Sequence, residues 1–274
     1  MNIGVRTVRK ITEQFKSFAK RKSLGVIPFY TIGFPTEEIT KELVFEAEKC
    51  GALAVELGIP FTDPIADGPI IQEASQVALR QGVNLSSALA LCDDLRRDGL
   101  KIPLILMTYY NPIHVFGTSK FCKDASKAGV DGLIVSDLPF EESSNLREYC
   151  LTSGIDYIAL VPPNCSEQRM SLACSASSGF VYCVSLTGVT GPRDALPEEM
   201  FDFLSRVRRT TDVPMAVGFG ISKPDHIKQL KGKVDAVIVG SALVRMLQSL
   251  GKREQVQATS LFLGKLIAEA ETNH

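Results

Sequence analysis

Residues 54–69 read AVELGIPFTDPIADGP and set three carboxylates, Glu56, Asp63 and Asp67, among apolar residues, glycines and prolines. No Lys or Arg occurs between Lys49 and Arg80, so no cation close in sequence holds these acids ionised. Carboxylates are seldom buried unless they are paired or chemically employed. In apolar surroundings a carboxyl group keeps its proton to higher pH and becomes a general acid or base near neutrality. Pro60, Pro64 and Pro69 each fix φ and hold the stretch in shape, which suits a positioned acid. The competing reading is structural, with Glu56 bonded to backbone N–H groups and Asp63 and Asp67 capping turns.

A second group of residues is rich in glycine. SLTGVTGPRDALP (185–197), GFGIS (218–222) and VGSALV (239–244) each follow a β-rich run, and Gly240-Ser241 leads straight into a helical pattern. Backbone N–H groups at a helix start bind anions, which points to a phosphate. Neither a Walker pattern nor GxGxxG is present, favouring a small phosphorylated metabolite over a nucleotide. None of the β-rich runs contains Lys, which disfavours Schiff-base chemistry on a core lysine. His114, His226 and His274 are the only histidines, too scattered for a His-rich metal site, and no metal is expected. What remains is carboxylate acid–base chemistry on a phosphate-anchored substrate.

The elements that must position these groups form a regular series. Eight β-rich runs lie at 25–31, 52–58, 102–109, 130–136, 157–161, 180–185, 214–218 and 234–239, most of them continuously apolar, as strands buried on both faces are. Amphipathic helices lie between them. One starts at Thr36 with Ile39, Leu43 and Ala47 on its inner face; another starts at Pro197 with Met200, Phe201, Leu204 and Val207. Ser222, three residues before Asp225, is the expected cap of a short helix. Eight such units in 274 residues predict an α/β fold, a single (β/α)8 TIM barrel, with a doubly wound open sheet as the alternative. In a barrel the site lies where strand C-termini meet the following loops.

Composition agrees with one globular unit. Lys plus Arg number 30 and Asp plus Glu 31, a balance that gives no electrostatic footprint for nucleic acid or an anionic membrane. The seven cysteines are odd in number and show no CxxC pair, so reduced cytoplasmic thiols are expected. No apolar run reaches the length of a membrane span, and the basic N-terminus lacks the apolar core of a secretory signal. Ile11, Phe15 and Phe18 recur at helical spacing there. We expect one domain over 1–274: an N-terminal helix in 1–22 packed on the barrel, a barrel core over 25–250 and a C-terminal helix over 255–272.

ELGIPFTDPIADGPIIQEAS, LMTYYNPI, AGVDGLIVSDLPFEE, SLTGVTGPR, GFGIS and VGSALV occur in that order, and together they resemble the tryptophan synthase α subunit family from about Val26 to Val244. The resemblance implies a barrel that cleaves indole-3-glycerol phosphate to indole and glyceraldehyde 3-phosphate. It also implies a β-subunit partner, with an α2β2 assembly, whose pyridoxal phosphate joins indole to serine; no cofactor is expected in this chain. By the same resemblance Glu56 and Asp67 are the catalytic pair. Gly191, Gly220, Gly240 and Ser241 hold the phosphate, Phe29, Tyr182 and Phe219 enclose the indole, and Thr190 belongs to a closing loop. Asp63, Asn111 and Asp137 match positions facing the β subunit.

Three residues depart from the family pattern. Phe34 in TIGFP stands where Asp is usual, Ser136 in VSDLP where Pro or Ala is common, and Thr62 in FTDP where Ser is usual. Phe34 removes a charge expected at the rim, which keeps open a second reading: a catalytically weak regulatory subunit that binds ligand and activates the β subunit.

Overall fold

The computed structural model describes residues 9–184, 196–218 and 220–272. Among them, nine parallel strands form one sheet: β1 Gly25–Thr31, β2 Val55–Gly58, β3 Leu104–Thr108, β4 Gly132–Val135, β5 Asp156–Tyr157, β6 Leu160–Val161, β7 Val181–Val184, β8 Met215–Gly218 and β9 Ala236–Val239. Their order is β5-β4-β3-β2-β1-β9-β8-β7-β6. The terminal strands of that order, β5 and β6, are two pieces of the one run expected at 157–161. Between them the Ile158 N–H donates to Leu133 O at 3.0 Å on one side, and Ala159 O accepts from the Tyr182 N–H at 3.0 Å on the other. One stretch of chain therefore joins both edges. The sheet closes, and the open-sheet alternative is excluded.

Twelve α-helices among the described residues surround the strands: α1 Lys10–Lys20, α2 Glu37–Cys50, α3 Pro69–Arg80, α4 Leu85–Arg97, α5 Tyr110–Phe116, α6 Thr118–Lys127, α7 Ser144–Ser153, α8 Glu167–Ala176, α9 Glu198–Thr210, α10 Pro224–Leu230, α11 Ser241–Ser249 and α12 Lys252–Glu271. Strands β1, β2, β4 and β9 are buried along their whole length, as two-sided burial requires. The larger apolar core lies between strands and helices. A second core fills the barrel itself, with Ile27, Ala54, Ile105, Ile134, Phe180 and Ala236 pointing inward.

The amphipathic N-terminal helix closes one end of that inner core. Ile11, Phe15 and Phe18 are buried in it, and the Phe15 and Phe180 ring centroids are 5.5 Å apart. A Cβ at Gly132 would lie 2.7 Å from Ile11 Cδ1, so glycine at the start of β4 is what lets the helix approach. The Arg9 guanidinium pairs with Asp156 at 2.5 Å, tying the helix entry to β5. These contacts involve the beginnings of strands and leave the opposite end free.

Two local expectations need correction. The inner face of α9 is Met200, Phe203, Leu204 and Val207, while Phe201 is only half-buried, its ring 4.9 Å from the Lys233 ammonium. Helical spacing places 203 between 200 and 207, whereas 201 falls at the edge of that stripe. Ser222 does not cap α10: that helix starts after Lys223, with Pro224 preset for the first turn, and the Ser222 N–H donates to His226 Nδ1 at 3.4 Å. Thr36 does cap α2, its hydroxyl accepting from the Ile39 N–H at 3.3 Å.

Candidate active site at the barrel mouth

Strand alternation decides what faces the mouth. Glu56 pairs in register with Phe29 on β1 and Ile105 on β3, both inner-core residues, so its side chain points inward as well. It is 0% exposed, and neither carboxylate oxygen has a hydrogen-bond partner. The structural reading, a carboxylate held by backbone N–H groups, therefore fails. Burial pushes its pKa up to about 8, and the nearby Asp67 charge adds to the rise.

Asp67 is placed by a small network. Its own N–H closes a turn onto Pro64 O at 3.0 Å, and the Gln72 side-chain amide of α3 donates to Asp67 O at 2.9 Å. The Tyr109 hydroxyl donates to Asp67 Oδ2 at 3.0 Å and accepts from the Ala66 N–H at 3.1 Å. Phe61 stacks on the Tyr109 ring with centroids 5.1 Å apart. Burial raises the Asp67 pKa to about 6, with the Tyr109 bond opposing the rise. Two neighbouring acids thus have separated proton affinities, which is the arrangement that divides acid and base roles.

The aromatic walls depend on glycine. Phe29 lies across Gly58, where a Cβ would come within 2.6 Å of its Cζ, and Tyr182 lies across Gly218, where a Cβ would come within 2.3 Å of its hydroxyl. Phe29 also touches the space above Gly240. Gly240 precedes α11, a nine-residue helix with no side-chain cap, whose first-turn N–H groups have no helical acceptor. Gly220, at φ +44°, and Ser241 border the same cleft of about 1010 Å³ as Asp67 and Tyr182. Asp67, Tyr182 and the start of α11 thus share one opening, with Phe29 in the crevice beside Asp67 and Glu56 buried in the strand next to it. No grouping of three or more His, Cys, Asp or Glu suited to a metal occurs among the described residues.

The family description "Tryptophan synthase alpha chain" matches residues 15–271. The chain belongs to the tryptophan synthase alpha chain family. It is 40% identical over 267 residues to the tryptophan synthase alpha chain of Chloroflexus aggregans, covering 97% of this chain and 100% of that one. It is 47% identical over 229 residues to that of Geobacillus kaustophilus, covering 84% and 85% respectively. The crystal structure of the tryptophan synthase alpha chain from Legionella pneumophila superposes with TM-score 0.88 at 30% identity, covering 96% of this chain and 98% of that one. A chain of Mycobacterium tuberculosis tryptophan synthase gives TM-score 0.88 at 30% identity, covering 97% and 100%. Membership makes the chain an α subunit of tryptophan biosynthesis and a lyase.

Of the residues that the resemblance to the tryptophan synthase alpha chain family nominated, Glu56, Asp67, Phe29, Tyr182, Gly220, Gly240 and Ser241 lie at or beneath the mouth. Thr190, Gly191 and Phe219 lie outside the described residues. Asp63 and Asn111 are exposed on the loop after β2 and on α5; the Asp63 carboxylate accepts from the Thr62 hydroxyl at 2.6 Å. Asp137, also exposed, accepts from the Tyr110 N–H at 2.7 Å and so links the loops after β3 and β4. Phe34 is not on the rim. It is 6% exposed in the core between strands and helices, because its N–H folds back onto Thr31 O at 3.0 Å and an apolar ring gains by burial there. Tyr109, which holds Asp67, was not among the expected site residues; its sequence signals were its place at the end of the third β-rich run and within LMTYYNPI.

Proposed function

We propose that this lyase splits indole-3-glycerol phosphate into indole and glyceraldehyde 3-phosphate with Glu56 as proton carrier and Asp67 as fixed charge. The observation that carries this reading is Glu56 itself: a wholly buried, unpartnered carboxyl group, close enough to Asp67 for that charge to raise its proton affinity. Near neutral pH Glu56 holds its proton, and it donates that proton to indole C3. The ring nitrogen then bears positive charge, and its N–H donates to the Asp67 carboxylate, which stabilises the cation. The Glu56 carboxylate next takes the proton from the chain hydroxyl. The bond between C3 and the chain breaks, its electrons return to the indole ring, and the aldehyde forms. Glu56 ends as it began.

The phosphate rests on backbone N–H groups of Gly191, Gly220, Gly240 and Ser241, supported by the uncapped start of α11. Phe29, Tyr182 and Phe219 enclose the indole, and Thr190 belongs to the loop that closes over it. The β subunit docks on the face carrying Asp63, Asn111 and Asp137. Ile65, 83% exposed in the loop after β2, and Val115, 78% exposed on α5, supply apolar contact area for a partner. We read the assembly as an α2β2 heterotetramer with pyridoxal phosphate on the β subunit. The chain itself is one barrel domain, spanning 1–274, in the cytoplasm. The alternative of a weak regulatory subunit is not favoured, since Phe34, which kept it open, is buried and the acid pair is complete.

Substituting Glu56→Gln tests the assignment. Indole release should fall by about 10²–10⁴ while the affinity for indole-3-glycerol phosphate stays within a few-fold. Turnover close to that of the unaltered protein would overturn it.

A further inference from the structure

We propose that Ser136 is a specificity-determining substrate contact, a hydrogen-bonding point for indole rings that carry a hydroxyl on the benzo portion. This rests on the lyase reading above. Ser136 directly follows β4 and keeps its inward phase, since Ile134 two residues earlier lies in the inner core. Its N–H extends the β3–β4 pairing by donating to Thr108 O at 2.9 Å, which fixes the backbone beside Tyr109. The Ser136 hydroxyl is enclosed and has no hydrogen-bond partner.

Its position gives that unpaired hydroxyl a meaning. Ser136 borders the crevice beneath Asp67 and Tyr109, and also the wider cleft lined by Leu160 and Tyr182. Thr31 has the other unpartnered hydroxyl of the crevice, but it does not reach the wider cleft. Asp67 is committed to the ring nitrogen in the proposed reaction, with one oxygen already held by Tyr109. Ser136 is therefore left to the carbon edge of the ring, among the otherwise apolar Met107, Ile134 and Leu160. An apolar wall discriminates weakly against an added hydroxyl, whereas a buried polar group that only the substituent satisfies discriminates strongly.

Calorimetry on the full chain carrying Glu56→Gln, with and without Ser136→Ala, tests the proposal. The ligands are indole-3-glycerol phosphate and its isomers hydroxylated at each benzo position. One isomer should lose about tenfold in affinity on Ser136→Ala while the parent compound changes less than about threefold. Unchanged isomer-to-parent ratios would overturn the proposal, and so would an equal loss for every ligand, which marks a structural role. If Ser136→Ala fails to fold, Ser136→Cys makes the same comparison. Turnover by Glu56→Gln, followed in parallel, reports separately on the lyase assignment.

Discussion

Glu56 and Asp67 differ in one respect that matters for chemistry. Asp67 has a donor, the Tyr109 hydroxyl, and Glu56 has none. A bond to the charged form favours ionisation, so Asp67 sits at about 6 while burial and the Asp67 charge hold Glu56 at about 8. Activity should therefore fall below about pH 6, as Asp67 gains a proton, and above about pH 8, as Glu56 loses its own. Tyr109→Phe removes the donor and makes the Asp67 carboxylate costlier to ionise. The acidic limb of the kcat/KM profile should then move to higher pH while the basic limb stays; a pH–rate series on both proteins checks this, and an unmoved acidic limb contradicts it.

At the scale of elements, one pairing rule occurs twice. Phe29 pairs in register with Glu56 and lies across Gly58, two residues further along β2; Tyr182 pairs with Ala216 and lies across Gly218, two residues further along β8. In both cases an aromatic residue leans toward the strand ends over a neighbouring strand that has no side chain at the next inward position. Removing the glycine forces the ring out. Gly218→Ala places its methyl within 2.3 Å of the Tyr182 hydroxyl, so the ring must swing into the cleft that it lines. The expected outcome is a rise in KM for indole-3-glycerol phosphate of about tenfold or more, from loss of well-packed contact. Steady-state kinetics, with a thermal melt to show that the barrel persists, decides it.

Over the whole molecule, stability and chemistry occupy opposite ends of the barrel. α1 packs against the beginnings of β4, β5 and β7, whereas the acids and glycines lie toward strand C-termini. Ile11, 0% exposed at the centre of the plug, should cost about 2–5 kcal/mol of unfolding free energy when replaced by Ala. Because the inner core separates it from the mouth, kcat at a temperature well below the melt should change less than about threefold. Denaturant unfolding and steady-state kinetics on Ile11→Ala together test the separation; a large fall in kcat in the still-folded variant would show that the two ends are coupled.

Alternation and apolar continuity made much of this legible in the residues alone. Two-sided burial leaves an unbroken apolar run, so the strands were readable as a series, with β1 matched at both ends. An acid set in such a run, as Glu56 is, marks a site because desolvating a charge is costly wherever it occurs. Local pattern could not say that Phe34 turns inward, that Phe203 and not Phe201 meets the core, or that Tyr109 reaches Asp67 across 42 positions of chain. Those facts depend on which surfaces meet, and that is settled only when the sheet closes. Composition and spacing determined that there is a barrel with acids at one end; the closed tertiary structure decided which acid has a partner, and hence which one keeps its proton.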